Sequence, residues 1–113
     1  MAATSERPCV VTTRVSLETR TVWVRLVGAV EMGAEPALDV AVERVRAVAP
    51  AVVLVDLAGV TFAGSLLAHF LLRVHAAAGG ARISLYGATR STLLVVTATG
   101  GDAFVTRKPG STR

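Results

Sequence analysis

The chain has 113 residues, a length that fits one domain with one hydrophobic core. Hydrophobic residues make up 52% of it and aromatic residues only 4%, so the core has to be built mainly from valine, leucine and alanine. The formal net charge is +4, and a single cysteine, Cys9, excludes an internal disulfide. The N-terminus lacks the apolar run of a secretory signal, so a reducing cytoplasm is the expected location.

The positive charge raises the question of nucleic-acid binding, but the distribution of the basic residues does not favour it. Eleven of the twelve are arginines, and most are scattered along the chain. The only cluster lies in a polar tail and consists of Arg107, Lys108 and Arg113. Aromatic residues interleaved with a basic patch, which stack on single strands, are absent from the sequence. We expect a solvated basic surface and no nucleic-acid partner.

The first part of the chain predicts two strands. Cys9 to Leu17 is rich in valine and threonine and predicts an edge strand. After a polar turn from Glu18 to Arg20, the stretch Thr21 to Val30 alternates as a half-buried strand does. The short connection predicts an antiparallel hairpin, and Gly28 predicts a bulge or a close backbone approach within the second strand.

The middle of the chain predicts a helix, a buried strand and a second helix. Glu35-Pro36 opens the first helix, with proline at an early position that tolerates it, and Pro50 ends it. Val52 to Asp56 predicts the buried strand, followed by a turn region from Ala58 to Gly64. From Ser65 the apolar residues follow a helical period, and Ser65 is the natural N-cap.

The last elements complete an alternating order. Gly79-Gly80 ends the second helix, Arg82 to Tyr86 predicts a strand, and Ser91 to Thr99 predicts a third helix. The order β-β-α-β-α-β-α predicts an α/β fold in which a mixed four-stranded sheet packs against helices. We expect one domain over residues 9–105, a disordered N-terminus over 1–8, and a polar, basic tail over 106–113.

A membrane span is the main alternative for the stretch Val52 to Leu72, which is long and apolar enough to be considered as one. Asp56 within it would cost about 2.5–3.5 kcal/mol near the centre of a bilayer. Its glycines and its β-branched first half also fit a membrane helix poorly. We therefore expect no membrane partner.

Candidate catalytic residues are few. Ser65 and His69 are spaced i and i+4 on one helical face, and Asp56 lies on the preceding strand. A nucleophile and base also need an orienting third group and an oxyanion site, which no spacing here supplies. No nucleophile elbow, phosphate-binding loop or paired metal-ligand spacing is present in the sequence. We expect no catalysis, no cofactor and no metal site.

The sequence VVLVDLAGVTFAGSLLAHFLL, from Val52 to Leu72, resembles the core motif of STAS domains, the family of bacterial anti-sigma factor antagonists. That motif has an apolar strand, Asp-Leu-Ser-Gly-Val, an aromatic residue two positions on, Asp-Ser-Ser/Thr-Gly and a leucine-rich helix. Val53 to Val60, Phe62 and Ser65 stand in matching positions. Further matches follow in order from about Val10: Val24 to Gly28, Gly79 to Leu85, and Thr99-Gly100 with Asp102 and Phe104.

Several residues depart from the family pattern, among them Ala29 and Val30, which precede Glu31. Gly64 stands where the family has aspartate, and Glu31 stands at the aspartate of its Gly-Glu-Leu-Asp segment. Leu66 and Leu67 replace a hydroxyl residue and a glycine. They either extend the core face of the helix or broaden an apolar contact surface.

The resemblance implies a non-catalytic regulator whose partner is an anti-sigma factor, a serine kinase with the histidine-kinase-like ATPase fold. It implies phosphorylation at Ser65 and a partner-binding surface made by Glu31, Phe62, Gly64, Ser65, Leu66 and His69. The sequence is also compatible with three alternatives. In the first, Ser65 is only an N-cap. In the second, the chain is an unphosphorylated scaffold that assembles with itself or with other STAS domains, and in the third, Ser65 and His69 belong to an enzyme.

Overall fold

The computed structural model describes residues 9–98 and 105–108, which form one mixed sheet and a layer of helices. The strands are β1 (Val10–Ser16), β2 (Thr21–Val30), β3 (Val52–Ala63), β4 (Arg82–Tyr86) and β5 (Val105–Lys108). The helices are α1 (Glu35–Val48), α2 (Ser65–Ala78) and α3 (Arg90–Ala98), with a short 3-10 helix at Met32–Ala34.

The strands lie side by side in chain order, with β1 antiparallel to β2 and the other neighbours parallel. The predicted hairpin, the mixed sheet of four strands and the order β-β-α-β-α-β-α are confirmed. The short β5 adds a fifth strand beside β4, at the start of the stretch expected to be a polar tail. The expectations for residues 1–8, for the match at 99–104 and for residues 109–113 lie outside the described residues.

The core lies between the sheet and the three helices. Along β2 the side chains of Val22, Val24 and Leu26 are buried, whereas Trp23 and Arg25 between them are exposed. This alternation arises because successive side chains of a strand point to opposite faces. The helices cover the buried side chains of the sheet and pack their own apolar faces against them. The buried residues of sheet and helices therefore form one cluster. Its helical members include Leu38, Val42, Val45, Leu67, Phe70, Leu71, Val74 and Val96.

Gly28 lies at a bulge, as the sequence predicts. The pairing of β2 with β3 shifts register between Gly28 and Ala29, and Gly28 has a φ of 106°. A side chain adopts that backbone region only with strain, so glycine is suited to this position.

The turn region expected from Ala58 to Gly64 is wrong, because β3 continues to Ala63. The parallel neighbour β2 extends to Val30, and Val30 pairs with Ala63. The ladder of backbone hydrogen bonds therefore carries β3 through residues that a local pattern assigns to a turn. Thr61 and Phe62 are also residue types that favour strands.

Within the described ranges, no helix has both the length and the apolar character that crossing a bilayer requires.

Candidate functional site

The candidate site forms where β2 and β3 end at the same edge of the sheet. Val30 and Ala63 are the last paired residues, so Glu31 and Gly64 follow at neighbouring positions. Helix α2 begins immediately afterwards at Ser65. The carboxyl ends of parallel strands, next to a helix N-terminus, are the usual position of binding sites in α/β folds. Three of the predicted site residues are thus brought to one edge.

Ser65 is not the N-cap of α2, contrary to the sequence prediction. The N-cap is Gly64, with extended backbone angles of φ −106° and ψ −159°, and the Leu67 N–H donates to the Gly64 carbonyl at 3.1 Å. Ser65 is the first helical residue, and it is exposed. Its position in the first turn places the exposed hydroxyl at the positive end of the helix dipole.

Phe62 lies beside this helix start with 54% of its surface exposed. A Cβ atom placed on Gly64 would lie 3.8 Å and 3.9 Å from two carbons of the Phe62 ring, an ordinary van der Waals distance. The φ of Gly64 is also one that any residue adopts. Glycine is therefore not required at this position by sterics, and an aspartate would fit.

The exposed stripe of α2 continues the site along the helix. His69 and Leu72 follow Ser65 at i+4 and i+7, and both are exposed, Leu72 at 44%. Leu72 is absent from the sequence-predicted surface, although the i+7 spacing from Ser65 is the signal that identifies it. Leu66 and Leu67 mainly extend the core face of the helix and do little to broaden an exposed apolar surface. Leu67 is fully buried, and Leu66 is half-buried against the core.

Asp56 does not belong to this site. Its carboxylate accepts a hydrogen bond from the Ala58 N–H at 3.0 Å and lies 4.0 Å from the Arg25 guanidinium. Ala63 lies seven positions further along the same strand, a length of about 23 Å. A Ser65–His69 pair consequently has no orienting carboxylate from Asp56.

The residues that the structure describes also fail to meet the requirements of a metal site and of a reactive thiol. No group of three or more His, Cys, Asp or Glu side chains there could hold a metal ion. Burial raises the pKa of the Cys9 thiol, and a hydrogen bond with the Val27 backbone only partly offsets this. The thiol is therefore protonated at neutral pH and is a poor nucleophile.

Solved structures share this arrangement of strands and helices. An anti-sigma factor antagonist from Mycobacterium paratuberculosis has a TM-score of 0.75 and 22% identity, over 92% of this chain and 86% of its own. A STAS domain protein from Planctomyces limnophilus, an anti-sigma-factor antagonist, has a TM-score of 0.61 and 20% identity, over 88% and 90%. This chain has the STAS fold. The Bacillus cell fate determinant SpoIIAA in its phosphorylated form shares the fold, with a TM-score of 0.59 and 14% identity over 88% of this chain and 91% of its own.

The likeness is one of structure. No family model matches the sequence, and no curated protein sequence matches it. The resemblance seen in the motif from Val52 to Leu72 is thus confirmed by the fold of the solved structures. In this STAS fold the exposed Ser65 stands at the start of the helix that follows the central strand.

Proposed function

We propose that this chain is a non-catalytic regulatory module that acts as an anti-sigma factor antagonist in the cytoplasm. The observation that carries the proposal is the exposed Ser65 hydroxyl at the start of α2, beside the exposed ring of Phe62. The solved proteins with the same fold are anti-sigma factor antagonists, which supports this class of partner. The partner proposed here is an anti-sigma factor that is itself a serine kinase with the histidine-kinase-like ATPase fold.

Phosphorylation of Ser65 is the proposed switch. A phosphate at the first helical residue lies next to backbone N–H groups that have no intrahelical acceptor, and the helix dipole favours its charge. The fold should therefore tolerate the modification. The phosphate adds a charge of about −1.5 to −2 beside the apolar surface of Phe62 and Leu72. A partner that docks there would have to desolvate this charge, and the complex would weaken.

The proposed contact surface consists of Ser65 and of its neighbours at the ends of β2 and β3 and along α2. Glu31 and Phe62 lie at the strand ends, and His69 lies one turn along α2. Leu66 contributes less than the sequence suggested, because it is half-buried. Leu72 is the apolar residue that we add to the surface.

One observation favours a second candidate function, a scaffold that assembles with other STAS domains without being phosphorylated. Gly64 provides no acidic neighbour for Ser65, although the structure has room for one. The same exposed apolar residues, Phe62 and Leu72, would then bind another STAS domain permanently.

Incubation with the cognate kinase and ATP, followed by mass spectrometry, separates the two functions. We expect one phosphate on Ser65 in the wild type and none in Ser65→Ala. Gly64→Asp should be phosphorylated faster if the kinase recognises an acidic neighbour, since the aspartate fits without displacing Phe62. If the wild-type chain stays unmodified while the kinase phosphorylates another substrate, the proposed phosphorylation switch is contradicted. The scaffold would then be the favoured function.

A further inference from the structure

The sheet has one face that carries no described helix, here called the open face. All three described helices contribute to the single core on the opposite face. Strand pairing aligns the side chains of the open face in rows across the sheet. One row runs through Arg14, Trp23 and Leu54, and the next through Thr12, Arg25 and Asp56. The open face is thus separate from the site at Ser65, which lies on the helical side.

The open face contains a concave groove of about 660 Å³. Trp23 lies in it with 41% of its surface exposed, and it is the only tryptophan of the chain. Tryptophan and arginine are the residues most enriched among those that dominate binding energy at protein interfaces. The groove is lined by Thr12, Arg14, Val15, Trp23, Val24, Arg25 and Asp56.

The charges around this groove are mainly positive. Arg14 is exposed directly opposite Trp23, and Arg25 is exposed two residues further along β2. Asp56 offsets Arg25 only weakly, because the two groups are 4.0 Å apart and their side chains are 44% and 64% exposed. Arg82, paired with Val52 at the start of β3, adds another exposed positive charge to the same face.

We propose that the open face binds an acidic segment of a partner protein, with an apolar side chain of that segment packed against Trp23. The arginines supply charge complementarity, and the half-exposed indole supplies an apolar anchor between them. A second copy of the chain fits less well, because two such faces would bring arginines against arginines. A nucleic acid fits less well because Asp56 places a negative charge on the wall of the groove.

Selection from a displayed random-peptide library tests the proposal on the full chain. The wild type serves as bait, and Trp23→Thr and Arg14→Glu serve as counter-selection baits that keep a strand-compatible backbone. We expect peptides rich in aspartate and glutamate around an apolar residue. A selected peptide should shift the emission of Trp23 to shorter wavelength as the indole loses water.

Labelled-peptide anisotropy then measures the affinities. Trp23→Thr and Arg14→Glu should each weaken binding at least about tenfold. The matched control Arg44→Glu, which reverses an exposed arginine on α1, should bind as the wild type does. Peptides that lack acidic residues, or equal enrichment on the variants, would overturn the proposal. Tighter binding of oligothymidylate through the same residues would instead indicate a nucleic-acid partner and would overturn the proposal. Trp23 emission that changes with protein concentration alone would indicate a second copy of the chain and would also overturn it.

Discussion

At the residue scale, Ser65 shows what side-chain preference can and cannot predict. Serine is among the strongest N-cap residues, but glycine is also accepted there, and in this chain the two are adjacent. The sequence locates the helix start to within one residue. Which of the two residues caps it depends on where β3 ends, and that is decided by pairing with β2.

The position of Ser65 predicts that its hydroxyl contributes little to stability. Ser65→Ala should change the free energy of unfolding by less than about 0.5 kcal/mol, since Ser65 is exposed and Gly64, not Ser65, is the N-cap. Thr89 is the matched control, because its hydroxyl accepts a hydrogen bond from the Thr92 N–H at 3.2 Å at the start of α3. Thr89→Ala should cost about 1 kcal/mol.

Urea denaturation followed by circular dichroism measures both variants. A cost for Ser65→Ala that equals or exceeds the cost for Thr89→Ala would show that Ser65 acts as a cap.

At the element scale, the helix and strand bounds follow the sequence closely where the pattern is local. The structure gives β2 and β4 the predicted limits, and α2 has the predicted apolar face. The exception is the second half of β3, where the local apolar pattern is interrupted at Gly59 and Thr61 and only the continued pairing with β2 extends the strand. A window of neighbouring residues contains no information on that partner, and so the sequence assigned a turn.

The packing of α2 predicts a large cost for removing its central ring. Phe70 is 1% exposed, so Phe70→Ala should destabilise the fold by about 3–5 kcal/mol. Leu72→Ala is the control on the exposed stripe and should cost less than about 1 kcal/mol.

Urea denaturation gives both values. If Phe70→Ala is unfolded without denaturant, Phe70→Leu, which leaves a smaller cavity, supplies the comparison with Leu72→Ala. A cost for the Phe70 variant no greater than that for Leu72→Ala would show that α2 packs through a different face.

At the scale of the whole molecule, the two faces of the sheet differ in burial. Alternation along β2 is readable in the sequence, and it correctly separates Val22, Val24 and Leu26 from Trp23 and Arg25. The sequence does not show which residues meet across strands. The grouping of Arg14 with Trp23, and of Arg25 with Asp56, depends on register, which only the assembled sheet defines.

The same limit applies to the site at Ser65. The motif from Val52 to Leu72 identifies the STAS fold and the candidate serine. The meeting of Glu31 with Gly64 needs the parallel pairing of β2 with β3. Leu72 becomes part of the candidate surface only once the burial of α2 is known.

Calorimetric titration of the cognate anti-sigma factor into three forms of the chain tests the central claim most directly. Ser65→Asp should fold normally, because an acidic residue is favourable in the first helical turn. Its affinity for the anti-sigma factor should fall at least about tenfold relative to the wild type, since the carboxylate must be desolvated in the contact. Leu17→Asp adds the same charge in the exposed turn at the opposite end of the sheet and should bind as the wild type does. Equal affinity of Ser65→Asp and the wild type, or no binding by any form, would contradict the account.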